Sequence, residues 1–222
     1  MKKSTALIAL LFAMSSMTMS AARADVIFYY SKTGFYNGTA ITDPNTFASA
    51  TFKTLSANNV SLKMSVFPGL DAGGYVNDWA FNVNTSITSL TRTFLNGTAA
   101  NSTEFGNNTV NNFGGANGGD FDLAFHFGNS NPGQLAVNGT STYTLTATNL
   151  TENSFSFTNA KGIYSAVKVQ GYGASSEYKS GDPTDNPVPP TSIPEPSTVA
   201  LLSLGLLGFA VSRRKFAKSN NV

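Results

Sequence analysis

The chain has no cysteine, only one histidine and one tryptophan, and charged residues make up just 12% of its 222 residues. Without thiols there is no disulfide framework, iron–sulfur cluster, cysteine-rich zinc site or cysteine nucleophile. The low charge argues against a nucleic-acid binder or a coiled coil, whereas 17 phenylalanines argue against a disordered chain. A core of packed side chains must therefore hold the fold together.

The small basic excess of the chain comes from its two ends. Between Val26 and Pro196, seven basic residues stand against eleven acidic residues, which gives this body a net charge of −4. Such a body has no basic field for nucleic acid or anionic lipid, so we expect no nucleic-acid partner. Asn, Thr, Ser and Gly must supply most of the wetted surface.

The first 24 residues have the pattern of a secretory signal peptide. Lys2 and Lys3 precede a short apolar run, Ala6–Met14, and the small residues Ala22 and Ala24 form a cleavage site before Asp25. The apolar run is shorter than the roughly 20 residues of a membrane anchor. We expect export by the general secretion machinery and cleavage by signal peptidase after Ala24.

Three elements follow one another near the end of the chain. Pro194-Glu195-Pro196 precedes an apolar stretch, which is followed by Arg213, Arg214 and Lys215. We predict a transmembrane helix over residues 197–212, with the basic cluster as a cytoplasmic stop, because positive residues remain inside. A plain C-terminal anchor and a buried core helix are the alternatives.

This arrangement, over residues 193–218, resembles the PEP-CTERM sorting signal of Gram-negative bacteria. The resemblance implies that a membrane protease-transpeptidase, an exosortase, recognises the motif and removes the tail. The body would then be released or transferred from the inner membrane to the cell surface or its exopolysaccharide matrix. The resemblance implies a route and a destination, and nothing about the chemistry of the body.

The body alternates apolar and polar residues with period two, which predicts half-buried strands. Asn-Gly and Pro-Gly dipeptides separate them, and no apolar stripe of helical period and length occurs. We therefore predict an all-β fold, an antiparallel β-sandwich of jelly-roll type over residues 25–172, followed by a polar stalk over residues 173–192. The strands are expected at Val26–Tyr30, Phe47–Leu55, Val60–Val66, Val76–Val83, Ile87–Leu95, Phe121–Phe127, Tyr143–Ala147, Ser154–Thr158 and Ile163–Gln170.

Four features of the body are candidates for functional sites. Asn96–Gly119 is a long polar segment, predicted to be a loop and the contact region. His126 is placed on the outward face of its strand, too far from Asp122 for a catalytic pair, so a triad would need an acid from elsewhere. We expect Trp79 in the core rather than on a sugar-stacking surface.

Asp120 and Asp122 follow flexible glycines, and we expect a turn that leads into a strand, with no cofactor. The alternative is a calcium site at these two residues, although the arrangement fits no EF-hand spacing. No catalytic constellation is apparent. We therefore favour a non-enzymatic surface or exopolysaccharide-matrix (biofilm-associated) protein, with a secreted carbohydrate-active hydrolase or a carbohydrate-binding module as the alternative.

Replacing Glu195 by Ala should leave the protein in its membrane-bound precursor form, because the acidic residue between the two prolines belongs to the motif that the sorting enzyme is expected to recognise. Fractionation and mass spectrometry of the extracellular protein measure the outcome. Extracellular protein that still ends in the intact basic tail would contradict the processing.

Overall fold

The computed structural model describes residues 24–40, 45–70, 73–171, 176–181 and 183. Strands are the main regular structure of these residues, as the alternation of apolar and polar residues predicts. Within these residues there are twelve β-strands and three short 3₁₀ turns, and no α-helix. The strands are β1 Val26–Ser31, β2 Phe35–Asn37, β3 Thr46–Ser56, β4 Asn59–Val66, β5 Tyr75–Phe81, β6 Thr91–Gly97, β7 Ser102–Val110, β8 Phe121–His126, β9 Leu135–Ala136, β10 Thr140–Thr146, β11 Ser165–Gln170 and β12 Ser176–Lys179.

The strands form two antiparallel sheets. The first sheet has the order β1-β3-β4-β10-β6, and the second has the order β2-β12-β11-β5-β8-β7, with β9 paired to β5. Apolar side chains of both sheets share one buried cluster, as in a sandwich. The predicted all-β, jelly-roll-like antiparallel sandwich is confirmed.

Aromatic rings join the two sheets across the core. Phe52 of β3 stacks on Phe155 with ring centroids 3.9 Å apart and meets Phe81 of β5 edge-on at 5.1 Å. Both Phe52 and Phe81 are fully buried. Trp79 is also fully buried and meets Tyr30 edge-on at 5.3 Å, which confirms its expected place in the core.

A second, smaller apolar cluster lies on the other face of the second sheet. Alanines on neighbouring strands, such as Ala80 and Ala124, leave room there for Phe113 and Phe121, whose rings are 5.7 Å apart. Period-two alternation predicts that Phe121, Leu123, Phe125 and Phe127 all point between the sheets. Phe121 instead belongs to this second cluster, while the other three pack in the main core.

The prediction that Asn96–Gly119 is a loop is wrong. The chain forms β7 over Ser102–Val110, hydrogen-bonded to β8, and the following residues cover the second apolar cluster through Phe113. The many Asn and Thr residues concealed the strand, because β7 is an edge strand with mostly exposed side chains and only Val110 buried. The predicted contact region is therefore largely regular structure.

Other predicted elements also differ from the structure, and the largest differences are these. Ser176–Lys179, expected in the stalk, form β12, because Tyr178 is fully buried and contacts Phe47 at 5.0 Å. The strand expected at Ser154–Thr158 is replaced by a 3₁₀ turn over Glu152–Phe155. Residues Ile87–Leu90 precede β6 as irregular structure.

The signal peptide up to Arg23 and the sorting segment lie outside the described residues, whereas Ala24 is described and exposed. In the described part of the chain, no helix combines the length and the apolar character needed to cross a bilayer. The prediction of a transmembrane helix over 197–212 therefore falls on residues that the structure does not describe.

Replacing Phe52 by Ala should lower the free energy of unfolding by about 3–5 kcal/mol, because it leaves a cavity between Phe81 and Phe155. Leu55 lies on the same strand with 54% of its surface exposed, so Leu55→Ala should change the free energy by less than about 0.5 kcal/mol. Urea unfolding followed by tryptophan fluorescence measures both variants. Equal effects of the two substitutions would contradict this packing.

Candidate functional site

A row of polar residues crosses the outer face of the second sheet. Strand pairing places Ser102 opposite His126, His126 opposite Asp78, and Asp78 opposite Lys168. The row continues through Glu177 to Asn37. Directly paired residues share one face of a sheet, so these six residues, here called the polar row, lie side by side.

His126 lies between two carboxylates from the neighbouring strands. Its Nδ1 is 2.7 Å from Oδ1 of Asp78 on β5, within hydrogen-bond distance. Its Nε2 is 3.1 Å from Oε1 of Glu104 on β7, but this contact lacks the angles of a hydrogen bond. The ring is therefore oriented through Nδ1, and protonation would strengthen its attraction to both acids.

Two residues of the polar row, His126 and Glu177, have raised pKa values, for different reasons. The hydrogen bond to Asp78 is the main reason that the pKa of His126 is raised, and the negative charges of Asp78 and Glu104 add to it against the opposing effect of burial. Burial raises the pKa of Glu177, with Lys168 and Asn37 opposing this shift. The polar row thus holds protons more firmly than isolated side chains do.

An acid and the histidine that it orients are two of the three members of a catalytic triad. The acid that the sequence analysis lacked is Asp78, which lies 48 residues from His126 along the chain. However, Nε2 faces Glu104, and no hydroxyl group in the described residues hydrogen-bonds to it, Ser102 included. The geometry is that of an ionic cluster, with no nucleophile attached.

Asp120 and Asp122, the candidate calcium ligands, bind backbone amides. Asp122 is nearly buried, and its two carboxylate oxygens accept hydrogen bonds from the N–H groups of Val83 and Asn108, both at 2.8 Å. Asp120 accepts one from Asn112 at 2.8 Å. Among the described residues, no three acidic, histidine or cysteine side chains gather as a metal site would require. Calcium binding at this point stays a prediction.

A pocket of about 190 Å³ opens beside Asp122. One wall is the irregular segment after β5, with Val83, Asn84 and Thr88, and the other is part of β7, with Phe105 and Asn107. Sequence reasoning found part of this region when it selected the segment 96–119 and Asp122. It missed the opposite wall, because nothing in the local sequence links the two.

The sorting signal is supported independently of the folded body. The model of the PEP-CTERM protein-sorting motif matches residues 192–215, which include Glu195 and the basic cluster that begins at Arg213. The chain carries a PEP-CTERM motif. No curated protein and no solved structure is significantly similar to it, so the family of the body is not recognised.

The PEP-CTERM motif implies an exported protein with a membrane-anchored precursor that an exosortase processes. The predicted sorting residues Pro194, Glu195 and Pro196, the stop residues Arg213, Arg214 and Lys215, and the signal-cleavage residue Ala22 lie outside the described part of the chain. The polar row and the pocket belong to the folded body, which lies outside the matched motif.

The histidine of this PEP-CTERM protein should titrate above the ordinary pKa of about 6.5, and Asp78→Asn should lower its pKa. His126 is the only histidine, so one NMR titration of its ring protons measures it directly. Asp25→Asn, an exposed change before β1, is the control and should leave the titration unchanged. An unchanged pKa in Asp78→Asn would refute the hydrogen bond as its cause.

The same shift links folding to pH. A histidine whose pKa is raised by folding stabilises the protein fully below about pH 6.5, and this contribution is lost as the pH rises through the raised value. His126→Gln removes this contribution. As the pH rises from about 6.5 through the raised pKa of His126, the free energy of unfolding of the variant should therefore fall less than that of the parent protein. Urea unfolding at a series of pH values measures the difference.

Proposed function

We propose that the body is a non-enzymatic component of the cell surface or exopolysaccharide matrix. The observation that carries this proposal is the PEP-CTERM motif, which implies export and processing of the chain. The chemistry of the folded body supports the finer destination.

The outer face of the first sheet consists largely of hydroxyl groups. On β10, Thr140, Thr142 and Thr144 alternate with the buried residues Ser141, Tyr143 and Leu145. Their partners on β4 are Ser65, Lys63 and Ser61, and Thr51 follows on β3. Hydroxyl groups both donate and accept hydrogen bonds, as the hydroxyls of a polysaccharide do.

This face also has a charge of one sign. The five strands of the first sheet contain no acidic residue, and Lys53 and Lys63 are exposed on its outer face. The second sheet holds the acids of the polar row instead. A hydroxyl-rich face with two free ammonium groups suits a hydrated polysaccharide that carries acidic groups.

The alternative is a secreted hydrolase, and the acids in and beside the polar row, Asp78, Glu177 and Glu104, are the observation that favours it. Hydrolysis of a glycosidic bond needs two carboxyl groups on either side of the bond. Asp78 and Glu104 instead both contact His126, and Glu177 is nearly buried. We therefore favour a protein that binds the polysaccharide over an enzyme that hydrolyses it.

Electrophoresis of the exported protein through gels with and without the producing cell's exopolysaccharide tests the proposal. The polysaccharide should retard the protein, and Lys53→Glu/Lys63→Glu should weaken this retention about thirtyfold or more, because each lysine near an anionic surface contributes roughly 1 kcal/mol. Lys161→Glu/Lys179→Glu makes the same charge change at two exposed residues outside the first sheet and should bind as the parent does.

Equal migration in both gels would refute matrix binding. A parallel assay for reducing sugar addresses the hydrolase. Sugar release that Asp78→Asn or Glu104→Gln abolishes would establish turnover and overturn the non-enzymatic role.

A further inference from the structure

We propose that the pocket between the segment after β5 and the bulge of β7 binds a single uncharged sugar ring. This site is separate from the hydroxyl-rich face of the first sheet and does not depend on the proposed role in the matrix. Its basis is the way in which the chain builds the pocket and the chemistry of its lining.

A large bulge in β7 forms one wall. Phe105 pairs with Leu123 and Val110 with Phe121, so the four residues 106–109 face the single residue Asp122. Asn108, in the middle, has a positive φ of 50°. Bulges turn side chains out of the regular ladder and are frequent beside binding sites. Here the bulge directs Asn107 towards the pocket.

Asp122 fixes the two walls relative to each other. Its Oδ2 accepts the N–H of Val83 on one wall, and its Oδ1 accepts the N–H of Asn108 on the other. A buried carboxylate held by two backbone donors is a strong, charge-assisted link. The pocket is therefore preorganised, which lowers the entropy cost of binding a ligand.

The lining combines apolar side chains with uncharged polar groups. Val83 and Ile87 are buried and the ring of Phe105 is half-buried, and these three residues supply apolar surface to the lining. Thr88 and Asn107 also line it and make no side-chain hydrogen bond to the described residues. A sugar ring has apolar C–H faces and hydroxyls that donate and accept, and it matches this set.

Size and charge narrow the ligand class. The volume of about 190 Å³ is below the roughly 300 Å³ of pockets for drug-sized ligands, so one small unit fits. No lysine or arginine is among the lining residues, and the carboxylate of Asp122 is already used by two amides. Phosphates and sugar acids would find no positive partner, so we assign an uncharged pyranose.

NMR titration of the full chain in a non-glycosidic detergent tests the site, with the methyl glycosides of glucose, galactose and mannose as probes and glucuronate as the anionic comparison. We expect at least one neutral glycoside to shift the amide signals of Asn84, Thr88 and Asn107. Asn107→Ala should weaken that binding about fivefold, the effect of losing one hydrogen bond. Asn101→Ala is the matched control. Asn101 is also exposed, but it lies just before the start of β7 at Ser102 and does not line the pocket.

Each result decides for or against the site. Shifts confined to the pocket, with weaker binding in Asn107→Ala and unchanged binding in Asn101→Ala, support it. No shift with any neutral glycoside, equal weakening in both variants, or tighter binding of glucuronate overturns it. Retention in exopolysaccharide gels is measured separately, so the pocket and the matrix role can fail independently.

Discussion

The contact between Phe52 and Phe81 is the interaction on which the rest of the body depends, because it joins the two sheets. A chain without cysteine must obtain its stability from such burial. Phe28 extends the aromatic contact on the first sheet, and Phe125 extends it on the second. With the inner faces committed to this core, the two outer faces are free to differ, and they do.

The difference between the outer faces follows from how each sheet pairs its strands. The first sheet places threonine, serine and lysine in register and leaves a hydroxyl-rich face. The second sheet brings Asp78, His126 and Lys168 together from three separate strands. Phe113 packs against the alanines on the same outer face of this sheet. The outer face of the first sheet is thus uncovered in the described residues, whereas that of the second sheet is partly covered by the chain around Phe113 and its charged groups are paired with one another.

Local pattern predicted the elements whose alternation places apolar residues in the main core. β4 and β8 have this pattern, and both were expected within a residue of their observed ends. β7 and β12 were missed because polar residues dominate them, and long-range pairing determines their state. The pair of His126 and Asp78 was missed for the same reason: alternation places each on an outward face, but only the order of the strands makes them neighbours.

Asp122 has a structural role that the local sequence does not reveal. Its setting after glycines suggested a calcium ligand, yet the structure uses both oxygens to hold backbone amides of two distant segments. A cation at this carboxylate would compete with those amides, and unpairing buried backbone groups costs about 1–3 kcal/mol each. The same hydrogen bonds keep the walls of the pocket apart at a fixed distance. The charge of Asp122 therefore holds two distant segments of the chain together, and the proposed recognition of a sugar depends on the uncharged side chains around it.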